Sequence, residues 1–370
     1  MTRPTWIEVD LGAVRSNVSA FLADVAPAEV CAVVKADGYG HGDVPVAQAA
    51  LDAGAAVLAV ALVEEGIRLR EAGIEAPILL LSEPPLAGIE RINRWALTPS
   101  IYSATFLRAL EESRQTPIAA HLKLDTGMHR VGTDSIEALD LARQIDRSDR
   151  LVLGGVWTHF ASAESDIEFT KTQMTAFTDF VASLEAEGIH PGILHASNTA
   201  GALAYAGAHL DMVRIGIGTY GLLPDPKLDR LALTPAMKVV SAVSKVTRLP
   251  RGERLSYGRV RPLGADAWIA TVPIGYADGY RRQLGDDGVA LLNGTRCELG
   301  GTVTMDHIML VCSDEPAVGD EVVLLGVQGD EQVTADEWAT WMGSINYEVV
   351  IGMSARVPRR YLNAGARPTG

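Results

Sequence analysis

The chain has 370 residues, 48% of them apolar and 21% charged, with a formal net charge of −14. That length allows two domains with full cores, and so acidic a balance argues against nucleic acid and anionic membranes as partners, which need clustered positive charge. No stretch reaches about 18 uninterrupted apolar residues and the N-terminal MTRPTWIEVD lacks a long apolar segment, so neither a membrane span nor a signal peptide is expected and the expected location is the cytoplasm. Cys31, Cys297 and Cys312 show no CxxC spacing; they read as small buried hydrophobes, and no metal site is expected.

In chain order, WIEV reads as a strand, and Asp10 caps a first helix over LGAVRSNVSAFLADV. Eight short apolar runs follow: VCAVVK, AVLAVAL, APILLL, WALTPSI, IAAHLKLD, LGGVWTHF, GILHASN and DMVRIG. Segments such as SATFLRALEESR, SIEALDLARQI and TQMTAFTDFVASLEAEG lie between them, with apolar residues at three- and four-residue steps. Eight strands alternating with helices over about 220 residues fit a closed (β/α)8 TIM barrel better than an open sheet. After the Pro-containing stretch between Pro224 and Pro235 the texture changes to β-branched runs broken by Gly, Asp and Asn turns. The expected organisation is therefore a barrel over 11–230, followed by a mostly β domain over 231–370 that also takes in residues 1–10.

Reactive groups in a parallel barrel sit where strands end and βα loops begin. Lys35 ends the first run and is followed by ADGYGHG, with glycines at 38, 40 and 42; it is one of six lysines against 26 arginines. A partly desolvated lysine amine with a lowered pKa forms Schiff bases with aldehydes. The loops after strands seven and eight, where such barrels often bind phosphate, supply SNT and GIG, hydroxyls and unobstructed backbone amides. An amine for an aldehyde and a phosphate cradle at one mouth point to pyridoxal 5′-phosphate (PLP).

Nine segments in order, AVVKADGYGHG, KLDTGMHR, THF, HASN, MVRIGIGTYG, LSYG, PIGYADGYRR, TMDHIML and RVPR, resemble the alanine racemase family over nearly the whole chain. The resemblance implies a PLP-dependent two-base interconversion of L- and D-alanine by a homodimer. Lys35 would hold PLP, with Tyr39, Asn198, Thr199, Gly216 and Ile217 facing its phosphate and Arg214 its pyridine nitrogen. Lys35 and Tyr257, the latter supplied by the other subunit, would be the opposite-face acid/bases, and His159 would connect Tyr257 with Arg214. Arg130 and Met305 would hold the substrate carboxylate, Asp306 follows in the same motif, Tyr276 would line the approach to the substrate, and Lys123 matches a position that is carbamylated in some members. His195 is read as either a buried barrel histidine or a participant, and Asp37 and His41 as residues that shape their loop.

Departures from the family pattern are Thr199 for serine, His129 beside Arg130, Thr304 before Met305, and Ala355 where some members place a phosphate-contacting tyrosine. Alternatives are a racemase of another small amino acid such as serine, a fold-related PLP decarboxylase, and a non-catalytic PLP-binding protein. A cation at the pyridine nitrogen argues against the decarboxylase, which favours a carboxylate there, and retention of LSYG and TMDH argues against the binding protein.

Overall fold

Thr5, Ile7 and Val9 are buried while Trp6, Glu8 and Asp10 are partly exposed, the two-residue period of a strand with one face on a core. This strand, β1 (Thr5–Asp10), opens the computed structural model, which describes residues 3–114 and 116–365. The chain divides into two compact units: Ala13–Gly38 with Asp43–Thr234, and Met1–Gly12 with Tyr39–Gly42 and Pro235–Gly370.

The first unit is the (β/α)8 barrel. Its strands are β2 (Glu29–Val33), β3 (Val57–Val60), β4 (Ile78–Leu80), β5 (Ser100–Ile101), β6 (Ile118–Lys123), β7 (Leu151–Trp157), β8 (Ile193–His195) and β9 (Met212–Ile215). Each overlaps one of the eight apolar runs; β2 begins one residue before its run, at Glu29, and β7 two residues before, at Leu151. Parallel ladders join β4, β3, β2 and β9 in one arc and β5, β6, β7 and β8 in another. Two seams connect the arcs. Leu79 bridges Thr98, just before β5; and the Arg214 amide donates to Ser197 O at 2.9 Å, the Asp211 amide to Leu194 O at 3.1 Å.

Helices cover the strands as the periodicity requires. Ser103 Oγ accepts from the Phe106 amide at the start of Ala104–Glu112, Asp134 caps Ser135–Asp146 and Asp166 caps Ile167–Ala186, each satisfying amides that lack an intrahelical partner. The buried faces carry Phe106, Leu107 and Leu110, then Leu141 and Ile145, then Phe177, Phe180 and Leu184.

The second unit is mostly β. Its larger sheet orders β14 (Thr295–Glu298), β13 (Val289–Leu292), β16 (Glu321–Gln328), β10 (Met237–Ala242), β1 and β18 (Arg359–Leu362), with β17 (Glu331–Val333) paired to β16. A smaller sheet orders β11 (Lys245–Leu249), β12 (Ala267–Val272) and β15 (Ile308–Cys312). The N-terminal strand β1 lies antiparallel to β10 and parallel to β18. Asn293 and Gly294, both at positive φ, form the tight turn between β13 and β14 that strand twist favours.

Two helices in this unit, Ala335–Met342 and Asn346–Ile351, were not anticipated. The signal for the first lies in TADE: Thr334 Oγ1 accepts from the Glu337 amide at 3.1 Å and Glu337 accepts from the Thr334 amide at 2.7 Å, a capping box. Among the described residues no helix is long and apolar enough to cross a membrane.

Candidate active site

Strand β2 ends at Val33, two residues before Lys35, because the backbone then changes hand. Ala36, Asp37, Gly38 and Tyr39 all take left-handed conformations with φ of 53°, 55°, 58° and 50°. Three of the four carry a Cβ, each costing about 1–2 kcal/mol in that region, so the turn needs external support. Glu65, buried in the helix Val63–Glu71, accepts from the Ala36 amide at 2.7 Å with one oxygen and from Ala61 and Leu62 with the other. Asp37 accepts from the Asp43 amide at 3.2 Å, the Gly38 amide donates to Val34 O, and His41 Nδ1 lies 2.9 Å from Tyr39 O. Asp37 and His41 thus have the loop-shaping roles read from the sequence, and Glu65 is a supporting residue that reading missed. The turn leaves Lys35 half-buried, its pKa lowered by burial and secondarily by Arg130, with Glu65 opposing.

Arg214 is the hub of the barrel interior. It is 3% exposed. Its NH1 donates to His195 Nδ1 at 3.0 Å, and its NH2 donates to Thr158 O and Ala196 O, both at 2.8 Å, and to His159 Nδ1 at 3.2 Å. A guanidinium only donates, so both Nδ1 atoms accept and both histidines carry their proton on Nε2. Burial, reinforced by Arg214, holds His159 and His195 well below the usual histidine range, and they are neutral at neutral pH. His195 Nε2 then donates to His121 Nδ1 at 2.9 Å; burial and Arg214 push His121 down to about 4. Burial likewise lowers Arg214 to about 10. Every partner of this cation is a neutral acceptor.

Trp157 organises the same layer. Its ring stacks on His195 at 5.6 Å and 7°, with Lys123 Nζ 4.1 Å and Arg214 Cζ 4.7 Å from its centroid, within the range of cation–π attraction. His121 fits because β7 has glycine opposite it: a Cβ at Gly155 would stand 2.7 Å from His121 Nδ1 and 2.6 Å from Ile193 O. Backbone on that side leaves no room to yield, so Gly155→Ala is expected to lower unfolding free energy by about 3 kcal/mol in urea denaturation. His121 and Trp157 were missed from the sequence. The available signal was His121 at two residues from Lys123, which places both on one face of a strand.

Lys123 is 3% exposed, and its pKa is pushed down to about 7, by burial first and then by Arg214 and Arg130. Arg130 lies on an exposed stretch where Asp125 arranges the loop, accepting from the Gly127 and His129 amides at 3.0 and 3.1 Å. Among the described residues, Lys35, Lys123, Arg130 and Arg214 form no ion pair within 4 Å of a carboxylate. At the β8 and β9 ends, Thr199 Oγ1 accepts from the Gly216 amide at 3.0 Å and from Gly218 at 3.4 Å, and Asn198 Oδ1 accepts from Gly201 at 2.9 Å. Ile217 begins a buried 3₁₀ turn. Four basic side chains, none ion-paired with a carboxylate within 4 Å among the described residues, beside hydroxyls and backbone amides are a donor set that fits an anionic aldehyde such as PLP.

The remaining sequence-derived residues belong to the second unit. Tyr39 is buried, its ring 6.3 Å from that of Tyr347. Tyr257, 72% exposed, sits between Ser256 and Gly258, both at positive φ, and its carbonyl accepts from Thr302 Oγ1 at 3.1 Å. The Tyr276 amide donates to Thr304 O at 3.0 Å and the Ala277 amide to Met305 O at 3.1 Å. Gly275 permits this approach, since a Cβ there would meet Thr304 O at 2.3 Å. Buried Asp278 anchors the same turn through Arg3 at 2.8 and 3.0 Å and the Gly275 amide at 3.0 Å. Asp306 pairs with Arg356 at 2.7 Å, so its carboxylate orients the loop. The structure therefore brings Tyr257, Tyr276 and Met305 together in one unit, and Lys35, Lys123, His159 and Arg214 together in the other.

Comparison with known proteins finds two family models along the chain. Residues 9–224 match the alanine racemase N-terminal domain, and residues 236–361 the alanine racemase C-terminal domain. The chain is 44% identical over 366 residues to an alanine racemase of Symbiobacterium thermophilum, covering 97% of each, and 39% identical to alanine racemase 2 of Bacillus subtilis, covering 99% of this chain and 96% of that one. Solved structures include alanine racemase from E. faecalis (TM-score 0.93, 37% identity, 98% and 99% covered). They also include the Bacillus anthracis enzyme with bound L-Ala-P (TM-score 0.92, 36% identity, 98% and 96% covered). With both domains matched and relatives above 30% identity along almost its entire length, the chain belongs to the alanine racemase family.

Proposed function

We infer that the protein is a PLP-dependent alanine racemase acting in the cytoplasm as a homodimer. The observation that carries this reading is Arg214: a buried cation held entirely by neutral acceptors, in a layer of further cations, at the mouth where Lys35 has a depressed pKa. In this reading PLP supplies a conjugated electron sink for the electron pair left when the substrate Cα loses its proton.

The chain's own residues do the rest. Tyr39, Asn198, Thr199, Gly216 and Ile217 bind the cofactor phosphate, and Arg214 is assigned to the pyridine nitrogen. A fixed cation there opposes protonation of that nitrogen and weakens the sink, which favours prompt return of the proton over side reactions. This separates the reading from a decarboxylase. Neutral His159, its proton on Nε2, ties Arg214 toward the second base. Lys35 Nζ and Tyr257 Oη hold and move the proton on opposite faces, and the exposure of Tyr257 suits a residue given to a second copy of the chain. Arg130 and the Met305 amide bind the substrate carboxylate, while Tyr276 limits side-chain size. Such a pocket separates alanine from serine only weakly, since one added hydroxyl is a small discriminator.

The test is L-alanine in deuterium oxide with the purified protein and PLP. The expected product is α-deuterated D-alanine; absence of both exchange and inversion with alanine and serine would falsify the assignment.

A second expectation concerns Lys123. With its pKa near 7, about half of its amine is free base at neutral pH, and a free amine adds to carbon dioxide, giving a carbamate and releasing one proton. The product carboxylate would neutralise the Arg130 side of the cation cluster. With ¹³C-bicarbonate, a carbamate signal is expected to rise as pH increases through about 7 and to vanish in Lys123→Ala. A pH-independent signal, or one that survives the substitution, places the modification elsewhere.

A further inference from the structure

Cys297 and Cys312 lie on β14 and β15, the edge strands of the two sheets of the second unit. The sheets touch there through one antiparallel bridge, Leu299 to Leu310, flanked by a hydrogen bond from the Gly300 amide to Met309 O at 2.7 Å. That bond makes Gly300 and Met309 a hydrogen-bonded pair and Leu299 and Leu310 a non-hydrogen-bonded one. The register extended by two residues sets Cys297 opposite Cys312, again at a non-hydrogen-bonded position. Facing Cα atoms at such positions are about 4.5 Å apart, inside the span of about 4.4–6.8 Å that a disulfide bridges. Both side chains point to the buried face shared by Leu299 and Leu310, with exposures of 6% and 5%. Each thiol shifts the ionisation of the other, Cys297 downward and Cys312 upward, and Cys312 Sγ lies 3.9 Å from Leu310 O.

The hairpin these strands form carries Met305 and Asp306 in its loop, the segment whose carbonyls hold the Tyr276 turn. Cys31 belongs to the other unit, buried on β2 opposite Arg214.

We propose that Cys297 and Cys312 form a reversible cross-strand disulfide under hydroperoxide, locking the hairpin that presents Met305. The Cys297 thiol, which Cys312 favours in its ionised form, attacks the peroxide: its sulfur gains oxygen as the O–O bond breaks and hydroxide leaves. The Cys312 sulfur then displaces that oxygen as water, closing the S–S bond. In total two thiols and one peroxide give one disulfide and two waters, and a dithiol reductant reverses it. The consequence for catalysis rests on the reading of Met305 as a substrate-carboxylate ligand.

Full-length PLP-loaded protein, reduced and then exposed to stoichiometric hydrogen peroxide, is expected to lose about 2 Da, two hydrogens. Proteolysis at Glu298 or Asp306 should leave two peptides joined until reductant is added, with one alkylatable thiol, Cys31, in the unfolded chain. The melting midpoint should rise, because closing a loop of this length restricts the unfolded chain. The KM for L-alanine should shift at least about threefold, a change of about 0.65 kcal/mol, with kcat moving less. Cys297→Ser should abolish the mass loss, the melting shift and the KM shift together. Three alkylatable thiols after peroxide, a bridge to Cys31, or oxidation of Cys297 without cross-linking each overturns the proposal. A bridge that leaves KM unchanged overturns the coupling to the Met305 loop. The mass and melting readouts need no activity, so they stand or fall apart from the racemase assignment.

Discussion

Lys35→Ala is expected to reduce racemisation by at least about 10⁴-fold, the loss of a covalent anchor together with one acid/base. The fold should survive. Lys35 lies beyond the last ladder residue of β2, makes no ion pair among the described residues, and its amine is desolvated rather than stabilised. Removing a group that prefers to be charged from a place that disfavours the charge costs the folded state little. The lowered pKa makes a further, signed prediction: Lys35 Nζ loses its proton at lower pH than an ordinary lysine, so its free-base fraction, and with it reaction with PLP, increases with pH from below the ordinary lysine range. The measurements are kcat/KM in both directions, borohydride fixation of PLP followed by peptide mapping, and thermal unfolding. Added methylamine should restore part of the rate to Lys35→Ala by supplying the missing amine. A variant within tenfold of the parent, or PLP fixed on Lys123 instead, would sink the assignment.

Tyr257→Phe is expected to lower racemisation by about 10³-fold, within the range that a positioned acid/base supplies, while PLP remains bound. Enantiomers have equal free energy, so kcat/KM must fall equally in the two directions whichever face Tyr257 serves. The asymmetry appears in isotope exchange instead. One enantiomer should still exchange its α-hydrogen with solvent through Lys35, and the other should lose exchange. Its position supports this separation of roles: the ring is exposed on a loop in the second unit whose backbone is held at positive φ at Ser256 and by the Thr302 hydroxyl on the Tyr257 carbonyl. Loss of exchange for both enantiomers, or release of PLP in parallel with activity, would assign Tyr257 to cofactor binding.

Much of this is legible in the sequence. The eight apolar runs coincide with eight strands because continuous burial on both faces of a parallel strand demands continuous apolar sequence. The glycines after Lys35 and the Asn-Gly at 293–294 sit at positive φ, where backbone sterics leave few alternatives. What escaped is instructive. The helix Ala335–Met342 was hidden by short, β-branched surroundings despite its capping box. Glu65 looked like any helical acid, yet its two oxygens hold the left-handed turn and a helix start at once. His121 was passed over because histidine in an apolar run is ordinarily a packed core residue.

Residue order alone determined the period of the strands and helices, the stiff and permissive backbone positions, and the set of amines, phenols and imidazoles the protein has to work with. Only the tertiary structure decided what state those groups are in. Arg214 is a cation without a carboxylate because β9 closes against β2 and β8, which bring Cys31, His195 and Ala196 to it and no acid. Lys123 is poised near neutrality because β6 turns it inward over Trp157 toward other cations. His159, His195 and His121 each have a defined tautomer because a guanidinium can only donate: Arg214 donates to His159 and to His195, and His195 passes the direction on to His121. Cys297 and Cys312 perturb one another because two sheet edges meet at the Leu299–Leu310 bridge. Proton affinity and redox pairing depend on distance and desolvation, and these arise only when segments far apart in the chain are packed side by side.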